Sequence, residues 1–167
     1  WMFVGYNPLL SVLGNNGFTV LNPTRRLKAA KAAGMKVIVV DPRRTETAHF
    51  ADVHLQLLPG EDPTLMAGLL HIILEQGWQD VSFCAEHVDG LDQLRQAVSP
   101  FTPAYVSARA GVDEKDLLDA ARLFALESRR GIAVSGTGPD MAPRSNLAEH
   151  LIEALNVVCG RFIRAGE

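Results

Sequence analysis

The residues best equipped for chemistry in this chain stand in short polar turns, each directly after an apolar run. The clearest is Asp41-Pro42-Arg43-Arg44-Thr45, which follows Lys36-Val-Ile-Val-Val40. A carboxylate placed there can accept hydrogen bonds from a ribose, and a guanidinium can grip phosphate through two parallel N–H bonds. The same residues would also serve as a helix cap beside a solvated charge pair. Three further turns have a similar makeup: Gly5-Tyr6-Asn7-Pro8, Pro59-Gly60-Glu61-Asp62 and Gly136-Thr137-Gly138. Glycine lets a backbone pass close to a ligand, and asparagine offers both a donor and an acceptor. Asp62 followed by Pro63 also fits an ordinary helix start, with no ligand implied.

The elements that must position these turns follow from the apolar patterning. Trp1–Gly5, Lys36–Val40 and Gly131–Ser135 are short runs of the kind buried on both faces of a parallel sheet. Ala51–Leu58 alternates through Val53, Leu55 and Leu57, as a half-buried or edge strand does. Between the first two strands, Asn22-Pro23 opens a helix with Leu27 and Ala30 inward and Gly34 as its stop, giving a right-handed βαβ unit. Leu9–Leu21, with Gly14, Asn15, Asn16 and Gly17, has no clean period and reads as a loop. Asp62 caps a helix whose wide stripe runs through Leu65, Met66, Leu69, Leu70, Ile72 and Ile73 to Gly77. From Trp78 to Leu126 the sequence is helical in short segments opening at Asp80, Gly90, Thr102 and Asp113, the last carrying Leu117, Leu118, Ala121 and Phe124. A final helix begins near Ser145, carries Leu147, Leu151, Ile152, Leu155 and Val158 inward and closes at Gly160. The expected fold is α/β: a three-layer Rossmann-like domain with a mainly parallel sheet and a helical insertion, about residues 78–127, before the last strand.

Composition narrows the function. A chain of 167 residues suits a single domain, residues 1–167, with a core sufficient for stability. Only Cys84 and Cys159 occur, without C-x-x-C or a histidine at ligand spacing, so a disulfide framework, a zinc site or an iron–sulfur site is not expected in this segment. Both cysteines read as small core residues. His49, His54, His71, His87 and His150 are scattered, and no catalytic residue is assigned. No apolar run reaches the ~20 residues that span a bilayer, so no membrane contact is expected of this segment, and no nucleic-acid partner either. The net charge of −3 conceals a basic first part: Arg25, Arg26, Lys28, Lys31, Lys36, Arg43 and Arg44 face only Asp41 and Glu46 before Ala48. An anionic ligand near the first two strands, or a solvated helix face, accounts for that bias. The chain opens inside an apolar strand and closes on Arg164-Ala-Gly-Glu167, so it reads as an excised part of a larger protein.

In a parallel sheet all four turns lie along one edge, where open α/β sheets bind ligands. A nucleotide-like molecule lying there would meet glycine amides, an acid for its ribose and arginine for its phosphates. A dinucleotide-binding dehydrogenase ranks low, because the first turn lacks G-x-G-x-x-G and Asp41 lies farther beyond Gly5 than the usual ~20 residues.

Taken in order, these motifs resemble the molybdopterin oxidoreductases of the dimethyl sulfoxide reductase type, which include formate dehydrogenases and nitrate reductases. The resemblance runs through Gly5-x-Asn7-Pro8, Gly34–Ala48 with its Asp41-Pro42-Arg43-Arg44-Thr45, and Ala51-Asp-Val-His-Leu55 leading to Pro59-Gly60-Glu61-Asp62. It continues through Phe101-Thr-Pro103, Gly111-Val112, Ala120-Ala-Arg122, Gly136-Thr137-Gly138 and Ala154-Leu-Asn156 with Gly160. It implies a domain holding the nucleotide part of one molybdopterin guanine dinucleotide, with molybdenum or tungsten, in an enzyme whose metal ligand, iron–sulfur cluster and second cofactor domain lie elsewhere. On that resemblance Gly5, Asn7 and Pro8 approach the cofactor near its phosphates. Asp41, Pro42, Arg43 and Thr45 line the guanosine and pyrophosphate pocket, Pro59, Gly60 and Asp62 approach the guanosine, and Gly136, Thr137 and Gly138 meet the pterin end. Leu10 stands where relatives often carry a polar residue. The partners implied are the remaining domains of the parent chain and an electron-transfer protein, in the cytoplasm by default. The alternative is a cofactor-free scaffold, as in the large iron–sulfur subunit of respiratory complex I.

Overall fold

The computed structural model describes residues 1–11, 22–128, 130–163 and 166. The loop expected over Leu9–Leu21 falls largely outside them. Four strands, β1 (Met2–Val4), β2 (Ile38–Val40), β3 (Val53–Leu55) and β4 (Ala133–Ser135), form one parallel sheet in the order β3-β2-β1-β4. The register pairs Val4 with Val40 and Ser135, and Val40 with Leu55. All four strands therefore end on one line, and all four polar turns emerge along a single edge.

Side-chain alternation sorts the sheet's two faces. Met2, Val4, Ile38, Val40 and Leu55 join the large core on one side, and Phe3 and Val39 join Leu27, Val37, Tyr6 and Ala48 on the other. Leu27 comes from α1 (Pro23–Ala32), whose start is capped by the Asn22 side chain accepting from Arg25 N–H. The result is the expected three layers. The strands are shorter than their apolar runs. At the start of β2 the Val37 amide donates to the Asp52 carboxylate at 2.8 Å instead of to a neighbouring strand.

The large core is built on α2 (Asp62–Glu75), in which every residue but His71 and Glu75 is buried. A helix apolar nearly all round belongs in an interior. The insertion supplies α3 (Val81–His87), α4 (Leu91–Val98), α5 (Pro103–Ala110) and α6 (Glu114–Arg122), the last continuing as a π-helical turn over Leu123–Glu127. Their starts are where the caps predicted them. Asp80, Thr102 and Asp113 each accept a backbone N–H from their own first turn, and Gly90 takes the left-handed cap of α4. After β4 come a one-turn helix, α7 (Thr137–Asp140), inside what reads as a plain glycine-rich turn, and α8 (Ser145–Val158), which packs beside α2.

Two leucines depart from expectation. Leu118 and Leu147 are 39% and 47% exposed, because α6 buries Leu117, Ala120 and Ala121 and α8 buries a stripe that starts at Ala148.

Candidate functional site at the strand ends

Asp41 follows β2 and is 4% exposed. Its Oδ1 accepts from Arg43 N–H at 2.8 Å, a local turn that bends the chain straight out of the sheet. Arg43 itself lies open to solvent, its Nε 3.7 Å from the same oxygen. The corner is braced from β3 and the residue after it: His54 Nε2 donates to Asp41 O at 3.0 Å in the tautomer protonated there, and Gln56 Nε2 donates to Pro42 O at 3.0 Å. His54 and Gln56 were not singled out by the sequence. Their alternation with Val53, Leu55 and Leu57 was the available sign.

Asp62 lies nearby, after β3, and is also buried. It opens α2 from inside the helix. Glu61 takes the cap position, its carboxylate accepting from the Thr64 hydroxyl at 2.6 Å. Burial, and then the charges of Asp41 and Glu61, push the Asp62 carboxyl up from its ordinary value. Glu61 is held below its own by the Arg109 hydrogen bond first, then by Thr64 and Arg144. The strand ends of β2 and β3 thus carry two buried carboxylates, Asp41 and Asp62.

The glycines behave otherwise than expected. Gly5 N–H donates to Val40 O, Gly136 N–H to Val4 O and Gly138 N–H to Gly5 O. All three amides are engaged within the protein, so they do not form a cradle for phosphate. The missing side chains serve contact between the first and last strand ends: a Cβ on Gly136 would lie 2.7 Å from Tyr6 Cβ. Asn7 is similarly occupied. Its Nδ2 donates to Glu46 at 2.8 Å and its Oδ1 accepts from the buried Thr47 hydroxyl at 2.6 Å. Pro8 is buried, and the Thr45 hydroxyl accepts from Ala48 N–H at the start of a 3-10 turn. Thr137 is exposed.

Two cavities border these groups. One of about 770 Å³ is lined by Pro42, Arg43, His54, Gln56, Pro59 and Val112 among others, beside the Asp41 corner. Another of about 460 Å³ lies against Tyr6, Ser135, Gly136, Thr137 and Asp140. The predicted residues therefore divide into two groups along one edge, with Asn7 between them joining the turn after β1 to the segment after β2. Among the described residues no group of three or more His, Cys, Asp or Glu is placed to hold a metal ion, and no helix is long and apolar enough to cross a membrane.

With this geometry in view, known proteins supply a context. A family model described as molybdopterin oxidoreductase matches residues 4–160. Formate dehydrogenase H of Escherichia coli is 36% identical over 123 residues, 72% of this chain and 16% of that protein. The F420-dependent formate dehydrogenase subunit alpha of Methanocaldococcus jannaschii is 32% identical over 123 residues, 72% of this chain and 18% of that protein. Acetylene hydratase of Syntrophotalea acetylenica is 32% identical over 168 residues, 99% of this chain and 22% of that protein. The solved structure of the acetylene hydratase from Pelobacter acetylenicus superposes with a TM-score of 0.84 at 29% identity, covering 98% of this chain and 22% of that one. The chain spans about a fifth of the length of these relatives.

Proposed function

Because this chain belongs to the molybdopterin oxidoreductase family, we propose that it holds the nucleotide part of a molybdopterin guanine dinucleotide within a larger molybdenum or tungsten enzyme. The observation that carries the reading is the placement of Asp41 and Asp62, two buried carboxylates at neighbouring strand ends, as acceptors for a ligand rich in N–H and O–H donors. Guanine presents N1–H and N2–H₂ side by side, and a ribose adds hydroxyls, so acceptors suit guanosine better than a base whose edge mixes donor and acceptor. Arg43, exposed at the same corner, is placed to meet the pyrophosphate bidentately. The N-terminus of α2 adds positive potential at the same edge. The engaged amides of Gly5, Gly136 and Gly138 leave phosphate binding to these groups. In this reading Gly5, Gly136 and Gly138 shape the wall by close packing, and Asn7 and Thr45 hold the turns.

Bound, such a cofactor supplies through its metal the bond-making or redox chemistry, while this chain's residues bind and orient its nucleotide. Relatives named as a formate dehydrogenase and as an acetylene hydratase share this domain. The reaction is therefore set outside it, along with the metal's protein ligand and any iron–sulfur cluster. A cofactor-free scaffold has no use for two buried carboxylates at neighbouring strand ends, which weighs against that alternative.

The test is the content of the full-length parent protein purified from its own host. About two guanine nucleotides released per chain, with pterin and molybdenum or tungsten, is the expected result. Asp41→Asn keeps an acceptor for Arg43 N–H while removing the charge, and it should lower the nucleotide retained without unfolding the protein. A folded parent with no guanine nucleotide or pterin would sink the reading.

A further inference from the structure

Outside the nucleotide pocket, one cluster of charges joins parts of the chain that are far apart in sequence. Glu61, its side chain only 14% exposed, accepts from Arg109 Nε of α5 at 3.1 Å and lies 3.7 Å from Arg144 Nη2. The same Arg144 nitrogen donates to Gly60 O at 3.0 Å. Arg144 thus holds two consecutive residues of the Pro59–Asp62 turn, one through its backbone and one through its side chain. It does so from the N-cap of α8, the helix that follows the β4 turn. β3 and β4 are the two outer strands of the sheet, so this contact ties together the turns that leave its opposite sides.

Arg144 also adopts φ +65°, a left-handed conformation that non-glycine residues avoid. Glycine or asparagine would fit that position with less strain. A helix cap needs no arginine, and its side chain makes no hydrogen bond to the first turn of α8. The chain tolerates a strained arginine here and directs its guanidinium at the nucleotide turn.

We propose that Arg144 is a positioning residue for nucleotide binding, holding Gly60 and Glu61 and with them the start of α2, where Asp62 sits beside the strand ends. The inference rests on the nucleotide-holding function proposed above. Arg109 secures the other side of Glu61 and adds the helical insertion to the same support.

Arg144→Gly separates this role from a merely structural one, because it removes the guanidinium and the backbone strain together. In the full-length holoenzyme the variant should melt close to the parent protein once both are stripped of cofactor. It should lose guanine nucleotide during gel filtration at least about tenfold faster, the size expected for one hydrogen bond to a charged group. Arg144→Lys, which can still reach Glu61, should restore part of the retention. Should Arg144→Gly fold poorly, Arg144→Asn, also at ease with this φ, replaces it in the same comparison. Retention equal to that of the parent protein in whichever variant folds would overturn the proposal. A parent holoenzyme that holds no guanine nucleotide at all would overturn the underlying function instead, and the two failures are distinguished by the unsubstituted protein.

Discussion

Gly5 and Gly138 touch backbone to backbone: a methyl built on Gly138 would stand 2.8 Å from Gly5 Cα, and one built on Gly5 would stand 2.9 Å from Gly138 Cα and 2.3 Å from Pro139 Cδ. Gly5 also has φ +56°. The pairing closes the gap between the ends of β1 and β4, where the connections of a doubly wound sheet diverge. Gly5→Ala adds both overpacking and a left-handed alanine, and should destabilise the protein by about 2–4 kcal/mol in chemical denaturation. A loss under about 0.5 kcal/mol, the range of an ordinary surface substitution, would show that the two turns are not packed in this way.

The second prediction concerns pH. The Asp62 carboxyl is raised in the folded protein by burial and by the charges of Asp41 and Glu61. A raised acid binds its proton more readily folded than unfolded. Its stabilising contribution is complete below the unfolded value of about 3.9 and is lost as pH rises through the folded value. At neutral pH, ionised Asp62 therefore weakens the empty protein. Asp62→Asn should raise Tm at about pH 7.5, and that gain should shrink as the pH falls toward about 4. Guanosine diphosphate, used as a probe, should bind the variant more weakly. A Tm difference that stays flat across this range would mean that burial and the neighbouring charges do not raise the Asp62 carboxyl.

The fold was legible because each of its signals is local. The apolar runs at Met2, Ile38 and Ala133 end in turn residues, and Asp80, Thr102 and Asp113 announce helix starts through bonds to their own first turns. The site was legible only as a place. A glycine after a strand signals that something comes close, not what, and at Gly5, Gly136 and Gly138 it is the neighbouring turn. Asn7 was readable as a donor and acceptor, but its partners Glu46 and Thr47 lie 39 and 40 residues on. The Glu61–Arg109 and Gly60–Arg144 contacts span 48 and 84 residues. Nothing short-range in the sequence marks such pairs, because α5 and α8 reach α2 only through the tertiary packing of the folded chain.

Packing between α2 and α5 offers a third prediction. A Cβ on Gly68 would lie 2.6 Å from Val106 Cγ2, a β-branched side chain with little freedom to move aside. Gly68→Ala gains helix propensity of about 1 kcal/mol but forces this contact, so a net loss of about 1–2 kcal/mol is expected. Val106→Ala alone should also destabilise, by leaving a cavity. The double variant should recover much of the Gly68→Ala loss, a coupling that denaturation of all four proteins would measure. Simple additivity would place the two residues out of contact.

The last prediction lies at the outer side of β4. Ala133 stands in register with Met2, and on its other side the described residues place no strand to meet its N–H and C=O. The Asn156 side chain of α8 supplies one: Oδ1 accepts from Ala133 N–H at 2.8 Å and Nδ2 donates to Ala133 O at 2.9 Å. Asn156 is 3% exposed, so water cannot replace it. Asn156→Ala leaves a buried donor and a buried acceptor unmatched and should cost about 2–4 kcal/mol. Asn156→Asp restores the acceptor but loses the donor and buries a charge, so it should be no better at neutral pH and should recover partly as the pH is lowered and the acid gains a proton to donate. Hydrogen exchange gives the sharper reading, because the Ala133 amide should lose protection in Asn156→Ala ahead of its neighbours in β1. Protection of Ala133 at the parent level in that variant would mean that the side of the sheet is closed by something other than Asn156.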